Sequence, residues 1–288
     1  MDKNSYQSNI SGWGGYPIQE ARVVYPKNIK QILEEIKKSD LIARGNGRAY
    51  GDSSINKKNT INMKYFNHII SFDDSSGVLE LESGILLEDI VNTFLPKGWF
   101  PYVTPGSKFV TIGGLIAADV HGKNHHKDGS FGNFVEWFEL INSKGEIIKC
   151  SRNENKDMFE WTIGGMGLTG IIIRAAIKLR PIETCWIKQK TLVANNIDQT
   201  LEIFEKNMNA TYSVAWLNST NSRNNIGQSL VMLGEHAKIN DLNQKNILDP
   251  LKLKSKKNRN IPFYFPNWFL NKRLIKIFNF LYYFLYKN

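Results

Sequence analysis

Four glycine-rich clusters between residues 43 and 170 constrain this 288-residue chain more than any other feature of its sequence. Glycine lets backbone N–H groups approach an anion closely, and flanking arginines add positive potential, so such loops suit a pyrophosphate. A single cluster is more often a structural turn, whereas four in one stretch favour a domain that binds a dinucleotide. The clusters are residues 44–51, 105–107, 111–114 running into 121–126, and 164–170.

The last cluster spells G-x-G-x-x-G over residues 165–170, the fingerprint of a Rossmann dinucleotide site. That fingerprint needs a strand before it, a helix after it and an acidic residue about 20 positions further on. Here the pattern predicts a helix over Lys156–Thr162 before the glycines and a strand over residues 171–179 after them, and Lys190 stands at the acidic position. A nicotinamide-binding Rossmann domain is therefore disfavoured.

Hydrophobic periodicity predicts an α+β chain without an internal repeat. Pro181 marks the predicted domain boundary, because the glycine-rich β pattern gives way there to a strand, helix, strand, strand order. Further helices are predicted over residues 26–36, 86–95 and 197–207. The remaining predictions are strands over residues 41–43, 60–63, 69–72, 78–82, 186–193, 211–217 and 228–234, and a hairpin over residues 134–150.

Three histidines, His121, His125 and His126, have a spacing that could place two imidazoles on one face of a helix and so hold a metal. Gly122 and Asn124 interrupt helix-forming sequence, and no further Cys/His cluster completes a coordination shell. We therefore predict no metal site and favour hydrogen bonding to a ligand or within a local network. A G-x-S-x-G elbow is absent, and neither cysteine stands in the setting of a nucleophile.

The net charge of +10 is concentrated in one segment. Residues 1–249 carry 28 basic and 27 acidic groups, whereas residues 250–288 carry nine basic groups and no acidic group. A solvated surface and attraction to an anionic membrane or substrate both fit this distribution. Nucleic-acid binding is not predicted, because no nucleic-acid module accompanies the charge.

The first ten residues lack the apolar stretch of a secretory signal, and two cysteines cannot form a disulfide framework, so a cytoplasmic location is expected. The longest uncharged runs in the basic segment, residues 260–271 and 277–286, are shorter than the roughly 18 residues of a spanning helix. We expect no transmembrane helix. Two alternatives stay open for these aromatic runs: peripheral contact with a membrane, or packing against further protein.

Five stretches together closely resemble the decaprenylphosphoryl-ribose 2-oxidase family, whose members are FAD enzymes of the vanillyl-alcohol oxidase (PCMH-type) fold. The resemblance begins near Gly12, is strongest over residues 43–173, and is most specific in the run His121-Gly-Lys-Asn-His-His126. The five stretches are residues 43–52, 111–114, 119–126, 129–133 and 164–171.

The resemblance implies FAD lying across an α+β domain, with its pyrophosphate on the loop of residues 43–53. Some relatives attach FAD covalently through a histidine in this loop; Ala49 and Tyr50 occupy that stretch here, so non-covalent FAD is expected. The positions that match flavin-contacting positions of the family are Ala43, Arg44, Gly45, Asn46, Gly47, Arg48, Ala49, Tyr50, Gly51, Asp52, Ser53, Gly106, Thr111, Ile112, Gly113, Gly114, His121, Gly122, Lys123, Asn124 and Ile173.

The resemblance further implies that the flavin takes a hydride from a secondary alcohol of a polyprenyl-phosphate-linked ribose, leaving a keto sugar for a separate reductase. Tyr50, His121, Lys123 and Trp216 match residues bordering the family's substrate pocket, although a tryptophan on a strand is as often a core residue. A sugar-lactone or alditol oxidase acting on a free sugar is one alternative. A non-catalytic flavin-binding or membrane-surface module is another.

The implied organisation is an FAD-binding domain over residues 12–181 and a substrate domain over residues 182–288. Family members continue beyond the region matched by Asn288 and supply there a catalytic lysine and several pocket residues. The substrate domain is therefore expected to be incomplete, and this chain is expected to lack full activity on its own.

Overall fold

The computed structural model describes residues 5–220, 226–253, 263, 265–266, 268 and 271–287. By their packing the residues fall into two units. The first comprises residues up to Gly122 together with Gly129–Pro181, and the second comprises Lys123–Asp128 together with the residues from Ile182 onward. Helices and sheets occur in both units, which confirms the predicted α+β class.

The first unit contains a small four-stranded sheet in the order β1-β2-β4-β3, in which β1 is antiparallel to β2 while β2 and β3 run parallel to β4. The predicted first helix is confirmed as α1. It begins where the Asn28 side chain accepts a hydrogen bond from the Gln31 amide, and it buries Ile32 against Ile61 of the sheet. The elements are β1 (Ser5–Ile10), β2 (Gln19–Val24), α1 (Ile29–Ile36), β3 (Ile42–Arg44) and β4 (Thr60–Asn62).

A buried carboxylate ties α1 to this sheet. Glu35 is only 4% exposed and accepts hydrogen bonds from Arg22 at 2.6 and 3.1 Å, from Lys38 at 2.7 Å and from the Asn59 amide at 3.1 Å. Burial alone would raise the pKa of Glu35, but the hydrogen bonds and charges of Arg22 and Lys38 lower it to about 2. Glu35 is therefore ionised over the whole neutral range.

A second, antiparallel sheet has the order β5-β6-β10-β8-β9, with β7 also paired to β10. Its central strand β10 buries residues on both faces over Ile171–Ile173 and Ala175–Ile177, whereas Lys178 is exposed. Phe94, Leu115, Phe138 and Ile177 belong to the main core of this unit. The elements are β5 (Ile69–Asp73), β6 (Val78–Glu82), α2 (Leu87–Phe94), β7 (Trp99–Pro101), α3 (Ile112–Ala117), α4 (His125–Asp128, counted with the second unit), β8 (Val135–Ile141), β9 (Ile147–Ser151), α5 (Lys156–Thr162) and β10 (Ile171–Pro181).

The order of elements around residues 165–170 confirms the argument against a Rossmann site. Helix α5 precedes these glycines and strand β10 follows them, as predicted. A Rossmann fingerprint requires the reverse order, because its glycines lead from a strand into the N-terminus of a helix. The predicted hairpin is also confirmed, since β8 and β9 pair across the turn at Asn142 and Gly145.

The second unit is built on the antiparallel sheet β11-β13-β12. The strand, helix, strand, strand order predicted after Pro181 is confirmed, and Leu230 and Val231 of β13 are buried. A long final helix, α8, was not predicted. None of the helices that the structure describes is long and apolar enough to cross a membrane. The elements are β11 (Ile187–Ala194), α6 (Ile197–Lys206), β12 (Tyr212–Asn218), β13 (Gln228–His236), α7 (Gln244–Ile247) and α8 (Lys272–Lys287).

Candidate cofactor-binding site

The loop that follows β3 forms the first wall of a cavity in the first unit. Arg44 stabilises this loop by donating hydrogen bonds to the Ser11 carbonyl at 2.7 Å and to Ser54 Oγ at 3.1 Å. A Cβ at Gly47 would overlap the Arg44 guanidinium, and Gly47 has a left-handed φ of +64°. Burial lowers the pKa of Arg44, although a guanidinium stays charged in proteins. Arg44 thus supports the loop and does not line the cavity.

Asn46 and Arg48 fix the middle of the same loop. The Asn46 side chain donates to the Phe109 carbonyl at 2.9 Å, and the Arg48 guanidinium lies 4.4 Å from the ring centroid of Trp13. This stacking holds a positive charge at the cavity wall. Arg48 Nε is buried and has no hydrogen-bond partner among the described residues.

The second wall comes from the segment leading into α3. Thr111 is the N-cap, its Oγ1 accepting from the Gly114 amide at 3.3 Å, and the Gly113 amide donates to the Ser83 carbonyl at 2.7 Å. A Cβ at Gly45 would overlap Thr111 Oγ1, so glycine at 45 lets the two walls approach each other. The glycines of the two clusters therefore form a narrow cradle.

The third wall is the glycine cluster before β10. The Met166 amide donates to the Ala117 carbonyl at 2.8 Å, which joins this cluster to the end of α3. A Cβ at Gly170 would overlap the Ile141 carbonyl oxygen, and its φ of +148° excludes most other residues. Met166, Gly167, Gly170 and Ile172 line the cavity.

The three walls border a cavity that is open to solvent at its mouth, with about 910 Å³ of space between them when that solvent is included. Ten of the predicted cofactor positions line this cavity: Ala43, Gly45, Asn46, Gly47, Arg48, Ala49, Ser53, Thr111, Gly113 and Gly114. The other predicted positions are not in its lining: Arg44, Tyr50, Gly51, Asp52, Gly106, Ile112, His121, Gly122, Lys123, Asn124 and Ile173.

Sequence reasoning missed several lining residues, and Ser83 is the most informative. Ser83 lines the cavity although it is only 2% exposed, and its buried hydroxyl has no hydrogen-bond partner among the described residues. A buried hydroxyl without a partner is costly, so a polar ligand atom would satisfy it. No local signal marks Ser83, because it is a lone serine after β6. The glycine cluster at 164–170 was visible in the sequence, but Ile173 was the only residue near it that was predicted to contact the cofactor.

The four predicted substrate-pocket residues are divided between the two units. Tyr50 is 76% exposed and His121 is also exposed, and both belong to the first unit. Lys123 and Trp216 belong to the second unit, where the Lys123 carbonyl accepts from the Ser213 amide at 2.8 Å. Trp216 is half-buried with its ring 4.9 Å from that of Tyr282.

His126 has a structural setting within the second unit. Its Nε2 donates to the Ala210 carbonyl at 2.7 Å, and its Nδ1 lies 3.3 Å from Ser213 Oγ. Lys127 Nζ donates to the Asn209 carbonyl at 3.0 Å and so joins the same segment to the residues before β12. Within the described part of the chain, no group of three or more His, Cys, Asp or Glu side chains is placed to hold a metal ion.

Comparison with known proteins identifies the same region. Residues 21–151 match the family model described as an FAD binding domain. The decaprenylphosphoryl-beta-D-ribose oxidase of Mycolicibacterium smegmatis is 34% identical over 273 residues, which cover 91% of this chain and 59% of that protein.

More distant similarities are confined to shorter stretches. Cytokinin dehydrogenase 5 of Arabidopsis thaliana is 33% identical over 103 residues, covering 35% of this chain and 18% of that protein. D-lactate dehydrogenase of Anaerostipes hadrus is 29% identical over 140 residues, covering 47% of this chain and 30% of that protein. This chain thus spans about three fifths of the mycobacterial relative and smaller shares of these two.

Proposed function

We propose that this chain is an FAD-linked oxidoreductase with a PCMH-type FAD-binding domain and that it oxidises a secondary alcohol of a sugar. The support is the match of residues 21–151 to an FAD-binding domain and the similarity of 91% of the chain to a decaprenylphosphoryl-beta-D-ribose oxidase. When bound, FAD supplies the chemistry by accepting a hydride from the alcohol carbon. The protein residues hold the cofactor, orient the sugar and provide a group for the hydroxyl proton. We propose that residues 12–181 form the cofactor domain and that residues 182–288 belong to a substrate domain.

The observation that carries the cofactor site is the glycine cradle with two unsatisfied polar atoms on its wall. Gly45 and Gly47 line the cavity without a Cβ, so a phosphate can approach the backbone N–H groups of this loop closely. The Gly113 and Gly114 amides already donate to the Ser83 carbonyl and to Thr111 Oγ1, so these two glycines contribute space and not donors. Arg48 adds positive charge to the loop of Gly45 and Gly47, and its Nε and the Ser83 hydroxyl both lack partners among the described residues. A dinucleotide with a polar ribityl chain and a pyrophosphate fits this donor set.

Dissociable FAD is the form that the lining supports. Covalent flavin attachment needs a nucleophilic side chain such as histidine, cysteine or tyrosine at the isoalloxazine ring. Among the described residues that line the cavity there is no histidine, cysteine or tyrosine. Tyr50, the nearest such residue along the loop, is 76% exposed and outside the lining.

Reconstitution tests the cofactor proposal. Purified protein mixed with FAD and passed through a desalting column should retain the visible absorbance of oxidised flavin with quenched fluorescence. Acid precipitation should then release all of the flavin into the supernatant. Folded protein that takes up no FAD would refute the proposed site, and flavin that stays in the acid pellet would refute non-covalent binding.

For the substrate we propose a polyprenyl-phosphate-linked ribose, oxidised to a keto sugar. The support is the similarity, extending over 91% of this chain, to a decaprenylphosphoryl-beta-D-ribose oxidase. Tyr50, His121, Lys123 and Trp216 remain the proposed pocket residues. A keto-sugar product calls for a reductase as a partner, and a lipid-linked substrate would bring the chain to a membrane surface.

Anaerobic flavin reduction separates this substrate from the alternative. Reconstituted protein is mixed with a polyprenylphosphoryl ribose in detergent, with a free sugar lactone or with a free alditol, and the loss of oxidised-flavin absorbance is followed. Bleaching by the lipid-linked sugar alone supports the proposal. Bleaching by the free sugars alone would assign a sugar-lactone or alditol oxidase instead. Flavin retained without bleaching by any of them would fit a flavin-binding module without this activity.

A further inference from the structure

Helix α8 presents its apolar side to solvent. Its outward face consists of seven large apolar side chains that are between 37% and 73% exposed. Exposed apolar surface of this extent is unfavourable in water and marks an interaction site. The seven residues are Leu274, Ile277, Phe278, Phe280, Leu281, Phe284 and Leu285.

The opposite side of α8 is polar and is already occupied. Asn279 is 8% exposed and donates to Asn218 Oδ1 at 2.9 Å and to Thr220 Oγ1 at 3.2 Å. Tyr283 is also 8% exposed, and its hydroxyl donates to Asn195 Oδ1 at 3.4 Å. These bonds fix the rotation of the helix, so the apolar face cannot turn inward without leaving buried amides unpaired.

The charges of α8 point to an anionic partner. Lys272, Arg273 and Lys276 are all exposed near the N-terminus of the helix, and residues 272–287 contain no acidic residue. Cations at a helix N-terminus oppose the helix macrodipole, so they do not serve the stability of the helix itself. Arg273 lies on the outward face, because Ile277, Phe280 and Phe284 follow it at helical spacing. Lys272 and Lys276 lie instead on the side of Asn279 and Tyr283, which follow them at that spacing, and their side chains are exposed there.

We propose that the outward face of α8 binds the surface of an anionic lipid membrane. The helix of 16 residues is about 24 Å long, and it does not meet the requirements of a spanning helix. A helix with a broad apolar face and basic groups lies in the plane of the interface, with aromatic rings at the boundary between headgroups and acyl chains. The basic segment of residues 250–288, which has nine basic and no acidic groups, adds attraction to anionic headgroups.

This inference deepens the proposed function, because it names the surface at which a lipid-linked substrate would be reached. It is tested without substrate or turnover, so its failure is distinct from failure of the oxidase proposal. The probes are large unilamellar vesicles of phosphatidylcholine alone or mixed with phosphatidylglycerol. The measurement is the fraction of protein that co-sediments with the vesicles at increasing lipid concentration.

The test variant is Phe280→Glu/Phe284→Glu, and the matched control is Ile247→Glu/Leu248→Glu. Both change the charge equally, and residues 247 and 248 are 43% and 82% exposed on a different helix segment. Each phenylalanine removed from the interface should weaken partitioning by at least about tenfold. Circular dichroism melting and retained FAD binding verify that each variant is folded.

The expected result is binding of the wild type and the control to anionic vesicles, weakened by salt, with little binding of the Phe280→Glu/Phe284→Glu variant. The proposal would be overturned if both double variants bound anionic vesicles equally well, or if the wild type did not bind them. Sedimentation velocity supplies a further outcome. A wild-type dimer that only the Phe280→Glu/Phe284→Glu variant converts to monomer would assign the face to a second copy of the chain and also overturn the membrane proposal.

Discussion

Replacing Ser83 by alanine should affect the free and the FAD-bound protein in opposite directions. In the free protein the Ser83 hydroxyl is buried without a partner among the described residues, so removing it deletes a desolvated polar group. Leaving such a group unsatisfied costs about 1–3 kcal/mol. Without FAD, the Ser83→Ala protein should therefore be at least as stable as the wild type, with a gain of up to about 3 kcal/mol in the free energy of unfolding.

With FAD present, the same substitution should weaken FAD binding. One hydrogen bond contributes about 0.5–1.5 kcal/mol, which corresponds to an FAD dissociation constant about 2- to 12-fold higher. The stabilisation by saturating FAD falls by the same free energy. For a protein of 150–250 residues, 1 kcal/mol corresponds to a shift of roughly 2–4 °C in the melting temperature.

The assay is a pair of thermal melts, with and without FAD, together with a fluorescence titration of FAD. Ser54→Ala is the matched control, because Ser54 also lines the cavity but its Oγ already accepts a hydrogen bond from Arg44 at 3.1 Å. That variant should lower the stability of the FAD-free protein. The reasoning is refuted if Ser83→Ala destabilises the FAD-free protein by more than about 1 kcal/mol and leaves FAD affinity unchanged.

Three further predictions concern the first unit. The pKa of Glu35 is lowered from 4.5 to about 2, so ionised Glu35 contributes about 3 kcal/mol to the free energy of unfolding above pH 5, and this contribution is lost as the pH falls toward 2. Chemical unfolding measured across this pH range should show the loss, and Glu35→Gln should make the free energy of unfolding depend less steeply on pH. Burial, and to a smaller extent the negative charge of Glu154, raises the pKa of Cys150 to about 11. A thiol reagent should therefore label the native protein only at Cys185 and the unfolded protein at both cysteines. Gly45→Ala should raise the FAD dissociation constant by about tenfold or more, since the added Cβ overlaps Thr111 Oγ1 and costs about 1.4 kcal/mol or more; unchanged affinity would count against the cradle.

Sequence periodicity predicted those elements whose burial follows a simple repeat. Helix α1 has one apolar stripe and an asparagine cap, and the apolar residues at alternate positions from Ile171 to Leu179 predicted β10. Strand β1 lacks such a pattern, since four of its six residues are exposed and its pairing with β2 defines it. Helix α8 was missed for a different reason. Its apolar residues face outward and its packed side is polar, which inverts the usual pattern.

The residues of the candidate site also differ in whether a local sequence pattern could predict them. Glycines could be found from the sequence, because a left-handed turn or a close approach such as that at Gly45 allows few other residues. Ser83 could not, because its importance arises only when β6, α3 and the loop after β3 converge. The positions of Tyr50 and Trp216 show the same limit, because a local motif does not determine which unit a side chain joins.

The segment Lys123–Asp128 has a consequence for how this protein can be divided. The chain leaves the first unit at Gly122, returns at Gly129 and leaves again at Pro181. The two units are therefore separate in packing but interlaced in covalent order, and no single cut in the chain separates them. A shortened chain ending at Pro181 would keep His126 and Lys127 but lose Ala210 and Asn209, to which they bond. Excision of the cofactor domain should therefore replace residues 123–128 with a short linker, rather than rely on a stop codon alone.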